Sequence, residues 1–187
     1  MLGLPVPFCF GAASIYMVLA FGYSPDFLLP IGYSKMSSIV LLAIPLFIMA
    51  GGVMEKGMLG KRLVDVVEKF VGTFKGGLGS AAVVSCAIFG SISGSASATL
   101  SCIGSIMFPK LYEAKYPRGI AAAVIASASV LGLLIPPSSI QILYAWVGNQ
   151  SVLACFLATI IPGLILMTLF CIVNYFLLRK NPDIIVL

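Results

Sequence analysis

Histidine is absent from the 187-residue chain. With it go the commonest general base and the commonest metal ligand, and therefore Ser-His and Cys-His catalysis and histidine-held haem. Charge is scarce as well. Asp, Glu, Lys and Arg make up 9% of the residues, against about 25% in a soluble domain. The five cysteines (Cys9, Cys86, Cys102, Cys155, Cys171) form no CxxC pair. Their spacing offers no disulfide framework, and they read as small apolar core residues. No GxxxxGK phosphate loop is present. What fills the chain instead is apolar: 60% hydrophobic residues and a mean hydropathy of +1.13. A water-soluble fold of this size cannot bury that much apolar surface. A soluble enzyme, a disordered tail and a nucleic-acid binder are thereby excluded, and the chain reads as an all-α integral membrane protein.

The few charges cluster. Asp26 and Lys35 flank a first loop, Glu55 to Lys75 form one block, Lys110 to Arg118 a second, and Arg179, Lys180 and Asp183 close the chain. Between them lie apolar runs over 1–25, 36–54, 76–109 and 119–178. A spanning helix needs about 20 residues. The first two runs predict one span each, and the last predicts two with a turn near Gly148-Asn149-Gln150. Residues 1–25 have no basic n-region, so no cleaved signal peptide is expected. Pro5 and Pro7 suit a helix start, and Pro45 lies inside the second span.

The run 76–109 is too long for one span and too short for two. Its centre, Phe89-Gly90-Ser91-Ile92-Ser93-Gly94-Ser95-Ala96-Ser97-Ala98-Thr99, loosens a helix and predicts a re-entrant hairpin with a polar tip. The positive-inside rule agrees. With a hairpin, ten Lys/Arg share one face and only Lys35 lies opposite; with a single crossing the split is six to five. Residues 57–75 carry an apolar stripe, Leu59, Leu63, Val66, Val67 and Phe70. That predicts an amphipathic helix on the membrane surface or packed on the cytoplasmic side of the bundle. In 119–147, Pro136-Pro137 breaks the span into two half-helices.

The 91–99 tip and the 135–139 break are thus two stretches of unwound chain at membrane depth, allowed only inside protein or beside a water-filled cavity. Both expose carbonyl and hydroxyl oxygens without a nearby carboxylate. That suits a weakly held monovalent cation better than Ca²⁺ or Mg²⁺ and argues against a proton relay. Half-helix N-termini at the midplane suit a substrate carboxylate. Packing is the competing reading: Gly90 and Gly94 form a GxxxG motif, and the prolines can serve as a plain kink.

The ordered motifs resemble the large membrane subunit of TRAP (tripartite ATP-independent periplasmic) transporters. The matching residues are Ile44-Pro45-Leu46-Phe47 with Gly51, Arg62-Leu63-Val64, Gly76-Gly77-Leu78, Phe89 to Ala96 with Ala98, Gly104, Pro109, Tyr116, Ile135-Pro136-Pro137-Ser138, Tyr144 and Pro162-Gly163. The resemblance implies a multi-pass permease of the bacterial inner membrane, not an enzyme. It would import organic acids of the C4-dicarboxylate, sialic acid or sugar acid type. Na⁺ would be the coupling ion, with no other cofactor. Its partners would be a periplasmic substrate-binding protein, a small four-helix membrane subunit and membrane lipid. Carried over, the Na⁺ ligands would be Ser91, Ser93, Gly94, Ser95, Thr99, Pro136, Pro137 and Ser138, through carbonyls as much as hydroxyls.

The implied fold is one half of an inverted-repeat elevator. It has about four spanning helices, one of them broken at Pro136-Pro137, with a re-entrant hairpin and an interfacial helix. Residues 1–75 would form scaffold helices and an arm. Residues 76–147 would form the transport module (hairpin 76–109, broken helix 119–147), 151–178 a further span and 179–187 a cytoplasmic tail. Residues 1–25 look trimmed against the family's first helix, and the second repeat does not follow. The expectation is a separately encoded second half of the permease, a truncated gene or a non-functional fragment. The alternatives are half of another elevator-type ion or carboxylate transporter, or a membrane scaffold that does not transport.

Overall fold

The computed structural model describes residues 5–72 and 76–179. Lys75 and residues 180–187 of the expected 179–187 tail lie outside the described residues. The described residues form ten α-helices and one 3₁₀ turn, with no strand among them. The chain divides into two compact units, Met1–Ile39 and Val40–Leu187. That division falls inside the 1–75 segment grouped together from sequence.

In the first unit, α1 spans Val6–Ala20 and starts where Pro5 and Pro7 place it. The stretch between Asp26 and Lys35 departs from expectation. It is not a loop but a 3₁₀ turn, Pro25–Phe27, running into helix α2, Leu28–Met36. Pro25 opens the turn, where its fixed φ suits a helical start, and the apolar residues that follow extend it.

The second unit contains the expected segments. Helix α3, Ile39–Lys56, carries Pro45 inside it, and α4 is Leu59–Val71. The hairpin is present: α5, Gly77–Ser93, turns through Gly94 and Ser95 into α6, Ala96–Glu113. Its arms are antiparallel. Ser93 meets Thr99 at the tip, and at the open end the Gly79 amide donates to Tyr116 Oη over 3.2 Å. The second arm runs past 109, because Pro109 is accommodated within α6. The broken helix is interrupted at the prolines as expected, and Val130 keeps helical backbone angles (φ −67°, ψ −25°). Helix α7, Arg118–Ser129, runs on through Val130 into one further turn, α8, Leu131–Leu134, before the proline break. Helix α9, Ser139–Val147, then leaves at 43°. Helix α10, Val152–Arg179, follows the expected turn.

Helix α10 is about 42 Å long at 1.5 Å per residue, and its most apolar 18 residues have a mean hydropathy of 2.5. Among the described helices it alone is long and apolar enough to cross a membrane unbroken, and the bent α7–α9 stretch passes as a single broken span. The exposed side of α10, which includes Leu157, Ile161 and Ile165, is predominantly apolar, as on a helix face turned to lipid.

The core lies between the hairpin and its neighbours. Phe89, Ile103, Met107, Leu111 and Leu131 are fully buried there, joined by Val64 and Leu178. The buried face of α4 is Gly60, Val64 and Val67, with Leu63 half-buried against the core, so the predicted stripe is borne out at Leu63 and Val67 alone. Leu59, Val66 and Phe70 are exposed. The small Gly60 sits against Cys102 and Phe89 of the hairpin, which rotates Val64 inward and leaves a second apolar strip outward. Helix α4 therefore packs on the bundle and still presents an amphipathic face.

An ion pair ties α4 to the charged, open end of the hairpin. Lys110 Nζ lies 2.7 Å from Glu68 and 3.1 Å from Asp65. Partial burial lowers the lysine pKa, but the hydrogen bonds and charges of Glu68 and Asp65 outweigh it and raise the net value. A group whose folded pKa lies above its unfolded one contributes its full stabilisation below the unfolded value. The contribution is lost as the pH climbs through the raised value. Lys110→Gln is expected to cost about 1 kcal/mol or less, because exposed pairs are screened by water and salt. The checking measurement is thermal unfolding in detergent at low and high salt, and the deficit should shrink as salt rises.

Candidate functional site

The site is built at the hairpin tip. Gly94 ends α5 at φ 61°, a left-handed C-cap that favours glycine, with its amide on Gly90 O at 2.7 Å. Ser95 caps α6, its Oγ accepting from the Ala98 amide at 3.4 Å, as N-cap serines do. Thr99 Oγ1 donates back to Ser95 O over 2.8 Å and lies 3.2 Å from Ser93 Oγ. Ser93 and Thr99 are both buried. Two hydroxyls and a cap thus hold the tip in one conformation.

The tip docks on the broken helix. A Cβ on Gly90 would lie 2.4 Å from Gly132 Cα, and one on Gly132 would lie 2.5 Å from Gly90 Cα, so α5 and α8 touch backbone to backbone. Next to that contact, Ser139 Oγ donates to Gly94 O over 3.3 Å. A Cβ on Gly94 would sit 3.0 Å from the Ser139 amide. The GxxxG pair therefore packs, as the competing reading had it, and what it packs against is the break. Helix α3 closes a third side, with Gly51 against Ser93. Between these elements lies an open cleft of about 670 Å³, lined by Ser93, Gly94, Ser95, Ser97, Leu133 and Ser139 among others, with no charged side chain on its wall.

Of the sequence-predicted site residues, the structure brings Ser93, Gly94, Ser95 and Thr99 into one cluster. Ser91 is turned away, its Oγ donating to Ile88 O over 2.8 Å. Pro136 and Pro137, joined by a cis peptide bond, form the break. Ser138 follows them as the N-cap of α9, fully buried, its Oγ without a hydrogen-bond partner among the described residues. Several of the carbonyls are already engaged: Gly94 O by Ser139, Ser95 O by Thr99, and Leu133 O and Leu134 O by Gln141.

Ser139 and Gln141 are the site residues that the sequence reading missed. The Ser138-x-x-Gln141 spacing, that of a capping box, is the signal that could have found Gln141. The donor set is hydroxyl and amide oxygen without a carboxylate, and two of its members, Ser138 Oγ and Gln141 Oε1, are buried without a hydrogen-bond partner among the described residues. These residues fit a monovalent cation better than a divalent one.

A helical hairpin tip docked on a discontinuous apolar helix, around an uncharged and mostly apolar cleft, defines a class of protein: a helical membrane protein with a discontinuous helix of the kind secondary transporters carry. The particular family is shown by comparison. The family model described as "Tripartite ATP-independent periplasmic transporter, DctM component" matches residues 1–182, and the chain belongs to that family.

The chain is 39% identical over 139 residues to a C4-dicarboxylate TRAP transporter large permease protein of Pseudomonas aeruginosa, covering 74% of this chain and 33% of the relative. It is 34% identical over 164 residues to an isethionate TRAP transporter permease protein of Oleidesulfovibrio alaskensis, covering 87% and 26%. It is 38% identical over 144 residues to an ectoine TRAP transporter large permease protein of Halomonas elongata, covering 76% and 34%. The chain thus spans between a quarter and about a third of the length of these curated relatives. The relatives are transporter permeases, and no catalytic family is indicated.

Proposed function

We propose that the chain forms the N-terminal part of the permease subunit of a sodium-coupled, binding-protein-dependent importer of small organic acids. The observation that carries this reading is the carboxylate-free oxygen cluster at the junction of hairpin tip and broken helix, in a chain of the DctM family. Na⁺ would sit between the tip and the Ser138 turn. The N-terminus of α9, opening on the same cleft, would favour the anionic group of the substrate. Similarity to permeases named for C4-dicarboxylate, isethionate and ectoine supports a small organic solute without selecting among them. The rest of the permease, a small membrane subunit and a periplasmic binding protein would complete the system in the bacterial inner membrane.

The re-entrant topology belongs to the same proposal. Both ends of the hairpin lie on one side of it, in keeping with the ten-to-one charge count. Each Na⁺ entering across 100 mV supplies about 2.3 kcal/mol, so one or two ions would drive modest accumulation without ATP. In a reconstituted complete system, uptake is expected to require an inward Na⁺ gradient and to stop when K⁺ replaces Na⁺. Equal uptake in K⁺ would refute the coupling.

A further inference from the structure

The geometry points to Gln141 as a further residue of the cation site: its amide nitrogen holds the proline break open and its amide oxygen is a ligand to the monovalent cation. The inference rests on the sodium reading given above. Pro137 has no N–H to donate to Leu133 O, and the extended Ser138 does not carry its amide back to Leu134 O. Gln141 takes that place from the far side of the break. Its Nε2 donates to Leu133 O over 3.0 Å and to Leu134 O over 2.7 Å. One amide thus ties the end of α8 to the first turn of α9.

In a capping box, a glutamine three residues after a serine N-cap reaches back to the N-cap amide, while the serine hydroxyl accepts from the glutamine's own amide. Here the box is not closed. Ser138 makes no side-chain cap bond, and the Gln141 nitrogen is committed to the break. Two oxygens are left over as a result. Ser138 Oγ and Gln141 Oε1 are both buried without a hydrogen-bond partner among the described residues, and both residues are more than nine-tenths buried.

Leaving a buried polar group unsatisfied costs about 1–3 kcal/mol, so two orphans at one turn call for a partner. That partner has to be a donor or a cation. Amide carbonyls and hydroxyls are hard oxygen ligands. The two lie on one short turn beside Leu133 and Ser139, which line the cleft at the hairpin tip. A cation entering from the cleft would satisfy both and leave the clamp on Leu133 and Leu134 intact.

Two variants separate the oxygen from the clamp. Gln141→Met removes both amide groups. Gln141→Glu, assayed at about pH 9.5, above the range of about 8–9 that buried glutamates reach, also removes the N–H donors but keeps an oxygen. The probe is NaCl itself, titrated against choline chloride. The readout is the fluorescence of the chain's single tryptophan, Trp146, which lies in α9, the half-helix that carries Gln141.

The wild-type chain is expected to show a saturable Na⁺ response. Gln141→Met should raise the half-saturating Na⁺ concentration about tenfold or more, in line with the cost of a lost buried partner, whereas Gln141→Glu should match the wild type or bind more tightly. An equal rise in both variants, or no rise in either, would overturn the ligand role. If Gln141→Met fails to fold, Gln141→Glu decides alone: half-saturation at or below the wild-type value supports the role, and a weaker response overturns it. A wild-type chain with no saturable Na⁺ response refutes the sodium reading itself, an outcome distinct from the failure of Gln141.

Discussion

Replacing Gly90 with alanine is expected to destabilise the chain by about 2–3 kcal/mol, the upper range for overpacking a close contact, and Gly90→Val should cost more. The added Cβ would meet Gly132 Cα at 2.4 Å and Gly132 N at 2.9 Å, with Thr99 Oγ1 at 3.2 Å. Both near neighbours are backbone. No rotamer change relieves them, and α5 and α8 must move apart as whole segments. That motion would also lift Gly94 from Ser139 and open the junction at which the cation is proposed to sit. Thermal unfolding in detergent measures the effect. Gly52→Ala is the control, because nothing lies within 4 Å of a Cβ at that position and its midpoint should barely move. A wild-type midpoint in Gly90→Ala would mean that the hairpin does not dock on the broken helix at this distance.

Ser138→Ala is expected to separate stability from ion binding. The hydroxyl is fully buried and makes no hydrogen bond among the described residues. Removing it takes away an unsatisfied polar group, which in the absence of Na⁺ should leave stability unchanged or raise it slightly. If the hydroxyl is a cation ligand, the same substitution weakens Na⁺ binding by about tenfold and removes most of the Na⁺-induced rise in unfolding temperature. Binding to the folded state alone is what produces such a rise. Unfolding curves in NaCl and in choline chloride measure both quantities on one sample. A variant that loses stability equally in the two salts would make Ser138 a structural cap and nothing more.

Much of the fold was legible because membrane solvation leaves few choices. Each uncharged run had to be helical to satisfy its backbone. The hairpin, the proline-broken helix and the long last span therefore follow from where charges, glycines and prolines fall. The legible part of the site was its residue class: hydroxyls and freed carbonyls without carboxylates, in two stretches of one short window. The misses have local causes. Between Asp26 and Lys35 the polar flanks suggest a loop and mask the short apolar helix they enclose. The stripe on α4 was read from hydrophobicity alone, whereas the buried face is chosen by Gly60, whose small size permits close approach to Cys102.

By itself the sequence determined the environment, the helical class, the two interruptions and the family, since all of these depend on composition and on local order along the chain. The tertiary structure decided which oxygens remain free. Ser91 turns back onto its own helix, and Ser139 bridges to Gly94. Gln141 reaches across the break to Leu133 and Leu134 instead of closing its cap, which leaves Ser138 Oγ and Gln141 Oε1 buried and unpartnered. Hydrogen bonding is a competition among donors brought together from distant parts of the chain, and its outcome depends on distances that exist only after Gly90 and Gly132 have let two helices meet.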